Sequence, residues 1–272
     1  MRTGFKDLDN IVKINDGELI VISARPGMGK STLALNILSN VTTKEKKPAV
    51  FFSLENSMEN IVNKLIISNS MVEADKFEIY DKHKKEKILK KEFTDKDWER
   101  IAYGVNILKD AHIFISTTAP YTIEDIWKKT RELKEKENIE LVIIDYLQLI
   151  QFDKSKTLSR DNEIMEILKR LKTLAKDLNV PIIITSQLSR KPEERENKKP
   201  VITDFTNTTS SISTYSDKIL FIYRDSYYNK ENKSNITDII IAKNENGNID
   251  TIKLGWMPEY CKFGNIVSNV EI

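Results

Sequence analysis

Residues 24–32, Ala-Arg-Pro-Gly-Met-Gly-Lys-Ser-Thr, have the residue types and spacing of a phosphate-binding loop. An apolar run precedes them and another follows, which predicts a strand, a glycine-containing turn and the start of a helix. Such a turn wraps backbone N–H groups around phosphate oxygens, although Ala24 replaces the first glycine of the usual pattern. The residues predicted to hold a nucleoside triphosphate are Arg25, Pro26, Gly27, Met28, Gly29, Lys30, Ser31 and Thr32.

Two residues of this loop carry specific expectations. Lys30 is predicted to reach the β- and γ-phosphates, and the Ser31 hydroxyl is predicted to ligate Mg²⁺. Asp145, which ends the apolar run 141–145, is predicted to hold the same ion. A single aspartate after a strand is more often a turn or helix cap, but its combination with a phosphate-binding loop favours a metal site. ATP and Mg²⁺ are therefore the predicted ligands.

Two further side chains follow predicted strands. Glu55, after the run 51–54, is a candidate general base for an attacking water. It is equally compatible with the N-terminal cap region of the next helix, and the residues alone leave both interpretations open. Gln187, after the run 182–186, is a candidate sensor of the γ-phosphate, although a single amide is a weak signal.

The elements that must position these residues alternate along the chain. Near-continuous apolar strands separated by helices predict an α/β fold, a largely parallel sheet with helices on both faces. Thr94 with Asp97 and Thr122 with Asp125 have the spacing of helix capping boxes. The predicted strands are 19–23, 49–53, 113–116, 141–145, 181–186, 218–223 and 238–242; the predicted helices are 31–40, 58–68, 95–110, 122–138 and 161–178.

Composition excludes several classes of protein. The 43 basic and 41 acidic residues give a net charge of +2, so nucleic acid would have to bind a local patch. One cysteine rules out an internal disulfide framework, and two histidines argue against a histidine-rich metal site. There is no signal-peptide pattern and no apolar run of about 20 residues. These features predict a soluble, cytoplasmic protein with no membrane partner.

Six short strings together resemble the motor domain of DnaB-type replicative helicases. The resemblance extends from about residue 3 to about residue 263, and the order of the strings makes it specific. The strings are Thr3-Gly4-Phe5 with Leu8-Asp9, the loop 24–31, Ser53-Leu54-Glu55 with Ser57, the run 144–150, the run 186–190, and Tyr223-Arg224-Asp225 with Tyr227-Tyr228.

The resemblance implies a single RecA-like P-loop domain over residues 1–272. It further implies a ring of six subunits, ATP-driven 5′→3′ movement on single-stranded DNA, and contacts with other replication proteins. It assigns phosphate and Mg²⁺ to Lys30 and Ser31, the catalytic base to Glu55, metal holding to Asp145 and γ-phosphate sensing to Gln187. It also places adenine and ribose near Arg224 and the segment Tyr227–Tyr228.

The chain departs from the family pattern at three places. The N-terminal helical domain of the family is expected to be absent, because Met1 lies almost on the first motif. The channel loop, Asp-Leu-Arg-Glu-Ser-Gly in the family, reads Asp-Phe-Thr-Asn-Thr-Thr at 204–209, so Thr206 replaces the DNA-contacting arginine. The arginine finger of the family is replaced by Glu245, and no arginine follows Asp225. The loss of the finger predicts reduced activity.

These departures leave competing hypotheses. The favoured one is a DnaB-type ATP-dependent helicase or translocase acting on single-stranded DNA. The alternative is an ATP-binding, catalytically weak relative that docks on or regulates a replicative helicase. A RecA-type recombinase or clock-type ATPase is a weaker third interpretation, because those proteins are not expected to carry the strings at 144–150 and 224–228.

Overall fold

The computed structural model describes residues 1–77, 79–81, 86–88, 92–117, 121–152, 158–229 and 231–266. Nine strands form the main sheet in the order β11-β10-β9-β8-β1-β7-β6-β2-β5, and β3 and β4 form a separate antiparallel pair. The strands are β1 Leu19–Ala24, β2 Ala49–Ser53, β3 Ile79–Asp81, β4 Glu86–Ile88, β5 Ile113–Ser116, β6 Leu141–Asp145, β7 Ile182–Gln187, β8 Lys218–Tyr223, β9 Ile236–Asn244, β10 Asp250–Met257 and β11 Lys262–Asn265. The helices are α1 Lys6–Ile11, α2 Lys30–Lys44, α3 Met58–Ser70, α4 Asp95–Lys109, α5 Ile123–Glu137, α6 Arg160–Leu178, α7 Thr209–Tyr215 and α8 Asp225–Tyr228.

Two hydrophobic clusters cover the two faces of the main sheet. Alternate residues of β1 point to opposite faces, so Ile20 and Ile22 join α1, α2 and α3 in one cluster. Leu19 and Val21 join α5, α6 and α7 in the other. Because both faces are covered, the central strands are apolar at nearly every position, which is the pattern that the sequence shows. The predicted α/β fold, a largely parallel sheet with helices on both faces, is confirmed.

The parallel part of the sheet comprises β8, β1, β7, β6, β2 and β5. The run 238–242 lies within β9, which is antiparallel to β8, and β10 and β11 continue the antiparallel edge. Neither β10 nor β11 was predicted. The two predicted capping boxes are both formed, by Thr94 with Asp97 and by Thr122 with Asp125.

Carboxyl ends of parallel strands meet at one edge of a sheet, and that edge carries the candidate site. The end of β1 leads into the loop before α2, while β2, β6 and β7 end close to Glu55, Asp145 and Gln187. None of the described helices is both long and apolar enough to span a membrane.

Candidate functional site

A cleft of about 390 Å³ opens at the carboxyl edge of the sheet, and we call it the P-loop cleft. It brings together the residues that the sequence predicted to act on a triphosphate, from four separate parts of the chain. A single cleft therefore combines a phosphate cradle, two carboxylates and an amide. Its lining consists of Pro26, Gly27, Gly29, Lys30, Ser31, Thr32, Glu55, Lys64, Asp145, Tyr146, Gln187 and Trp256.

The backbone of the phosphate-binding loop requires glycine at position 29. Gly29 has a φ of 102°, which side chains disfavour, and a Cβ there would lie 2.9 Å from Cζ of Phe263. Gly29 precedes the first residue of α2, so the free N–H groups of that helix lie beside the cleft. Ala24 is instead the last residue of β1 and fully buried. A regular strand position accepts alanine, which explains the missing first glycine.

Burial and the two carboxylates of the cleft shift the pKa values of Lys30 and Tyr146. Burial lowers the pKa of the Lys30 ammonium below its ordinary value, and the negative charges of Asp145 and Glu55 oppose that shift. Burial raises the pKa of the Tyr146 phenol, and the same two carboxylates add to that increase. Tyr146 therefore stays neutral at physiological pH. The cleft holds opposite charges close together before any phosphate enters.

The two oxygens of the Asp145 carboxylate have different surroundings. Thr185 donates a hydrogen bond from its hydroxyl to Oδ1 of Asp145, whereas Oδ2 is buried and has no hydrogen-bond partner among the residues that the structure describes. A buried carboxylate oxygen without a donor fits a cation directly or through water. The Ser31 hydroxyl lines the same cleft, so this residue pair fits Mg²⁺. No cluster of three or more histidine, cysteine or acidic residues occurs among the described residues, so phosphate oxygens and water would complete the coordination.

Four of the predicted nucleotide-binding residues do not line the cleft. Arg25 donates to the Leu188 carbonyl at 2.9 Å and pairs with Glu193 at 2.8 Å, so it joins the loop to the segment after β7. The Met28 side chain is buried in the core. Tyr228 stacks on Tyr223 with ring centroids 6.0 Å apart and lies outside the lining.

Arg224, the fourth of these residues, contacts the backbone of the phosphate-binding loop and the ring of Trp256. Its guanidinium donates to the Gly27 carbonyl, and its Cζ lies 4.9 Å from the ring centroid of Trp256. Burial lowers the pKa of the Arg224 guanidinium, an effect that the Tyr227 phenol opposes. Arg224 and Trp256 thus form a cationic and aromatic surface beside the phosphate-binding loop.

Sequence reasoning assigned no role to Lys64, Tyr146 or Trp256, although all three line the cleft. Lys64 belongs to α3 and lies nine residues after Glu55, with no motif of its own. For Tyr146, the only indication in the sequence was its position directly after Asp145. Trp256 comes from β10, a strand that was not predicted.

Neither of the two altered segments contributes a residue to the lining of the P-loop cleft. In the stretch 204–209, Asp204 is fully buried and its carboxylate pairs with the Arg195 guanidinium at 2.7 and 2.9 Å. The stretch is helical throughout, and nothing is described for the side chains of Thr206 and Asn207. Glu245 is exposed in the turn between β9 and β10. That turn begins after Asn244, which pairs with Lys218 at the amino end of β8, so Glu245 lies at the edge opposite the P-loop cleft.

The chain is similar in sequence to replicative DNA helicases. The chain is 37% identical over 266 residues to the replicative DNA helicase DnaB of Geobacillus stearothermophilus, covering 97% of this chain and 56% of that protein. It is 36% identical to the replicative DNA helicase DnaC of Bacillus subtilis strain 168, with the same coverage. The chain therefore spans about half the length of these relatives.

Solved structures agree with this result. A DnaB-like replicative helicase, described with its interactions with primase, superimposes with a TM-score of 0.87 at 32% identity, covering 98% of this chain and 62% of that one. A second solved structure, described as an ATPase domain, gives a TM-score of 0.85 at 32% identity and covers 98% and 91% of the two chains. A KaiC-like protein from Pyrococcus horikoshii, at 12% identity and a TM-score of 0.62, shares the fold. Because the profile described as DnaB-like helicase C terminal domain matches residues 1–265, the chain belongs to that family.

Proposed function

We propose that this chain is the ATP-hydrolysing motor of a replicative DNA helicase and moves along single-stranded DNA. The observation that carries the proposal is the convergence of Lys30, Ser31, Glu55, Asp145 and Gln187 on one cleft. Each of these side chains has a distinct use in phosphoryl transfer to water, and positioning and electrostatics supply most of that catalysis. A fold without this convergence would support nucleotide binding alone.

Binding of ATP would use the loop and its neighbours. Backbone N–H groups of the loop and of the first turn of α2 surround the phosphates, and Lys30 pairs with the β- and γ-phosphates. The base would lie against Trp256 and Arg224, since an aromatic face and a guanidinium plane both stack on purines. This assignment replaces Tyr228 with Trp256 as the main aromatic contact.

Hydrolysis would begin with a water held by Glu55. The water oxygen forms a bond to the γ-phosphorus, its proton passes to the Glu55 carboxylate, and the bond from γ-phosphorus to the bridging oxygen breaks to give ADP and phosphate. Mg²⁺ held by Ser31 and Asp145 would neutralise charge on the phosphate oxygens. Lys30 and Lys64 add positive charge from the chain itself, and the Gln187 amide contacts the γ-phosphate.

The wider role is proposed from the relatives. Full-length proteins that contain this domain are named replicative DNA helicases, and one solved relative is described with its interactions with primase. We therefore propose a hexameric ring, 5′→3′ movement, contacts with other replication proteins and a cytoplasmic location. We propose that DNA phosphates bind at the stretch 204–209 without sequence preference, although the Thr208 and Thr209 hydroxyls donate to the Phe205 and Ile202 carbonyls.

The test is steady-state ATP hydrolysis by the purified chain with and without single-stranded DNA, with Glu55→Gln as the matched control. We expect DNA to stimulate turnover and Glu55→Gln to abolish it while nucleotide binding persists. Turnover that is absent with DNA, or unchanged by Glu55→Gln, would contradict the proposal.

A second candidate function rests on Glu245. An acid where the family carries its arginine finger would repel the charge that develops on a neighbour's triphosphate. The chain would then bind ATP, turn it over weakly and dock on or regulate a replicative helicase. Nucleotide binding with negligible turnover, together with altered activity of an added replicative helicase, would favour this function.

A further inference from the structure

The Gln148 side chain forms hydrogen bonds with both backbone groups of Gln187, its N–H and its carbonyl. The Gln187 N–H donates to Oε1 of Gln148 at 3.2 Å, and Nε2 of Gln148 donates to the Gln187 carbonyl at 3.3 Å. The same Nε2 donates to Oγ of Ser186 at 2.9 Å. One carboxamide therefore satisfies three polar groups at the end of β7.

These contacts replace a missing strand neighbour. The ladder between β6 and β7 ends at the pair Ile144–Ile184, whereas the ladder between β7 and β1 continues to the pair Gln187–Ala24. The last residue of β7 would therefore have an unpaired edge on the side of β6. The Gln148 amide has the donor and acceptor of a peptide group, and it occupies that edge.

The turn that contains Gln148 is held in place by Arg160. It belongs to the short 3₁₀ turn Leu147–Leu149 directly after Asp145 and Tyr146. Arg160, the first residue of α6, donates to the Gln148 carbonyl at 3.0 Å and to the Ile150 carbonyl at 3.2 Å, and also pairs with Glu163 at 2.6 Å. This fixes the turn to α6, so the amide of Gln148 is presented from a supported position.

We propose that Gln148 is a positioning residue that aims Gln187 at the γ-phosphate. Gln187 is the one exposed residue of β7 and lines the P-loop cleft, so the orientation of its backbone sets where its side-chain amide reaches. Gln148 fixes that backbone through the N–H and the carbonyl of Gln187, and thereby sets the difference in affinity between ATP and ADP. The nucleotide part of this inference rests on the proposed function, whereas the contact between the two glutamines does not.

The first experiment measures that contact without nucleotide. In Gln148→Leu, we expect hydrogen exchange of the Gln187 N–H to become about tenfold faster, since its acceptor is removed. The Ile182 N–H at the start of β7, which donates to the Glu18 carbonyl at 2.8 Å, is the internal reference and should not change. Gln151→Leu is the matched control, because Gln151 pairs with Tyr121 and Ile123 through its backbone. Unchanged exchange at Gln187 would overturn the inference.

The second experiment measures nucleotide affinity in the Glu55→Gln background, where turnover is blocked. Gln148→Leu should weaken ATP binding about 3- to 10-fold, the range for one intramolecular hydrogen bond, and leave ADP affinity within about twofold. In a Gln187→Ala background, Gln148→Leu should have no further effect on ATP affinity. Two results would overturn the positioning role. One is an equal loss of affinity for ATP and for ADP in Gln148→Leu, and the other is an undiminished loss of ATP affinity when Gln148→Leu is made in the Gln187→Ala background. A chain that binds neither nucleotide would contradict the proposed function, and the exchange experiment would still decide the contact.

Discussion

Thr185 holds Asp145 by a buried hydrogen bond to Oδ1, and within the described part of the chain Oδ2 of Asp145 is buried without a hydrogen-bond partner. The two residues lie on neighbouring parallel strands, so the strand register fixes the orientation of the carboxylate. An Asn side chain at position 145 would keep an oxygen that accepts from the buried Thr185 hydroxyl, whereas removing the side chain altogether would leave that hydroxyl without its acceptor. Asp145→Asn is therefore the change that tests the proposed metal site with the least effect on the fold.

Asp145→Asn should impair Mg²⁺-dependent activity without unfolding the chain, because the amide keeps the shape and loses the charge. We expect the Mg²⁺ concentration for half-maximal ATP turnover to rise at least about tenfold, as for other disturbed metal sites. Thr185→Val, which removes only the orienting hydroxyl, should give a smaller increase. A titration of turnover with Mg²⁺ measures both. Equal Mg²⁺ requirements for Asp145→Asn and the unmodified chain would contradict the assignment.

The parts of this site that the sequence predicted are those encoded by local patterns. The loop around Lys30 and the carboxylate Asp145 follow continuous apolar strands, and buried parallel strands are apolar on both faces. Trp256 was missed because β10, with the sequence Asp-Thr-Ile-Lys-Leu-Gly-Trp-Met, is not a continuous apolar run. Its place beside the loop depends on three antiparallel strands that join the sheet after β8.

The positions of Glu55 and Lys64 in the cleft could not be predicted from local sequence patterns. Glu55 could be a helix cap or a catalytic base from the sequence, and the fold places it in the cleft while Ser57 caps α3. Lys64 lies on α3, and only the packing of α3 against α2 and α4 decides that Lys64 lines the cleft. Such tertiary information is absent from residue spacing.

Lys64→Met should slow ATP hydrolysis more than it weakens ATP binding, because its positive charge matters most as charge develops on the phosphate. We expect kcat to fall about 10- to 100-fold, comparable to loss of one electrostatic contact in a catalytic site. Lys64→Arg keeps the charge and should recover most of the activity. Steady-state kinetics with and without DNA provide the measurement. A normal kcat for Lys64→Met would show that the α3 lysine does not act on the triphosphate.

Trp256→Ala should weaken ATP binding if the base lies on the indole. Loss of stacking on one base costs about 1–3 kcal/mol, or roughly 5- to 150-fold in affinity. Trp256→Phe separates stacking from packing, since Trp256 also contacts Phe263 with ring centroids 4.5 Å apart. Trp98→Ala is the control, because Trp98 is exposed on α4. Equal ATP affinity for Trp256→Ala and Trp98→Ala, measured by calorimetry, would exclude base stacking.

The capping box of α4 predicts a pH dependence of stability. The Asp97 carboxylate accepts hydrogen bonds from Lys76 and from the Thr94 N–H and hydroxyl, and these hold its pKa well below the usual range. A depressed folded-state pKa stabilises the fold above the unfolded value of about 3.9, and the stabilisation is lost as pH falls through the folded pKa. Asp97→Asn should therefore lower the melting temperature at pH 7, and the difference from the unmodified chain should shrink below about pH 4.

The matched control for this effect is Asp95→Asn. Asp95 lies in the same helical turn and is exposed. Its removal should change the melting temperature little at either pH. A loss for Asp97→Asn that stays constant from pH 7 to pH 3 would assign the effect to packing rather than to the carboxylate.

Glu245→Arg tests whether this chain has lost a contact between subunits. Glu245 lies at the sheet edge opposite its own P-loop cleft, so a side chain there can serve only the cleft of another copy. An arginine finger contributes about 10³–10⁵ in rate, and we expect Glu245→Arg to raise DNA-stimulated turnover at least about tenfold. Glu245→Ala removes the acid without adding a cation, and Glu137→Arg adds the same charge at an exposed position of α5. Both should have small effects.

Action between subunits is separated from action within one chain by mixing two variants. A chain carrying Lys30→Ala and Glu245→Arg cannot hydrolyse ATP itself but presents the arginine to a neighbour. Added to the unmodified chain, it should increase total turnover, whereas Lys30→Ala alone should reduce it by occupying places in the ring. If turnover falls equally with both additions, the side chain at position 245 does not reach a neighbour's triphosphate. The double variant would then act in the same way as Lys30→Ala alone, as an inactive subunit.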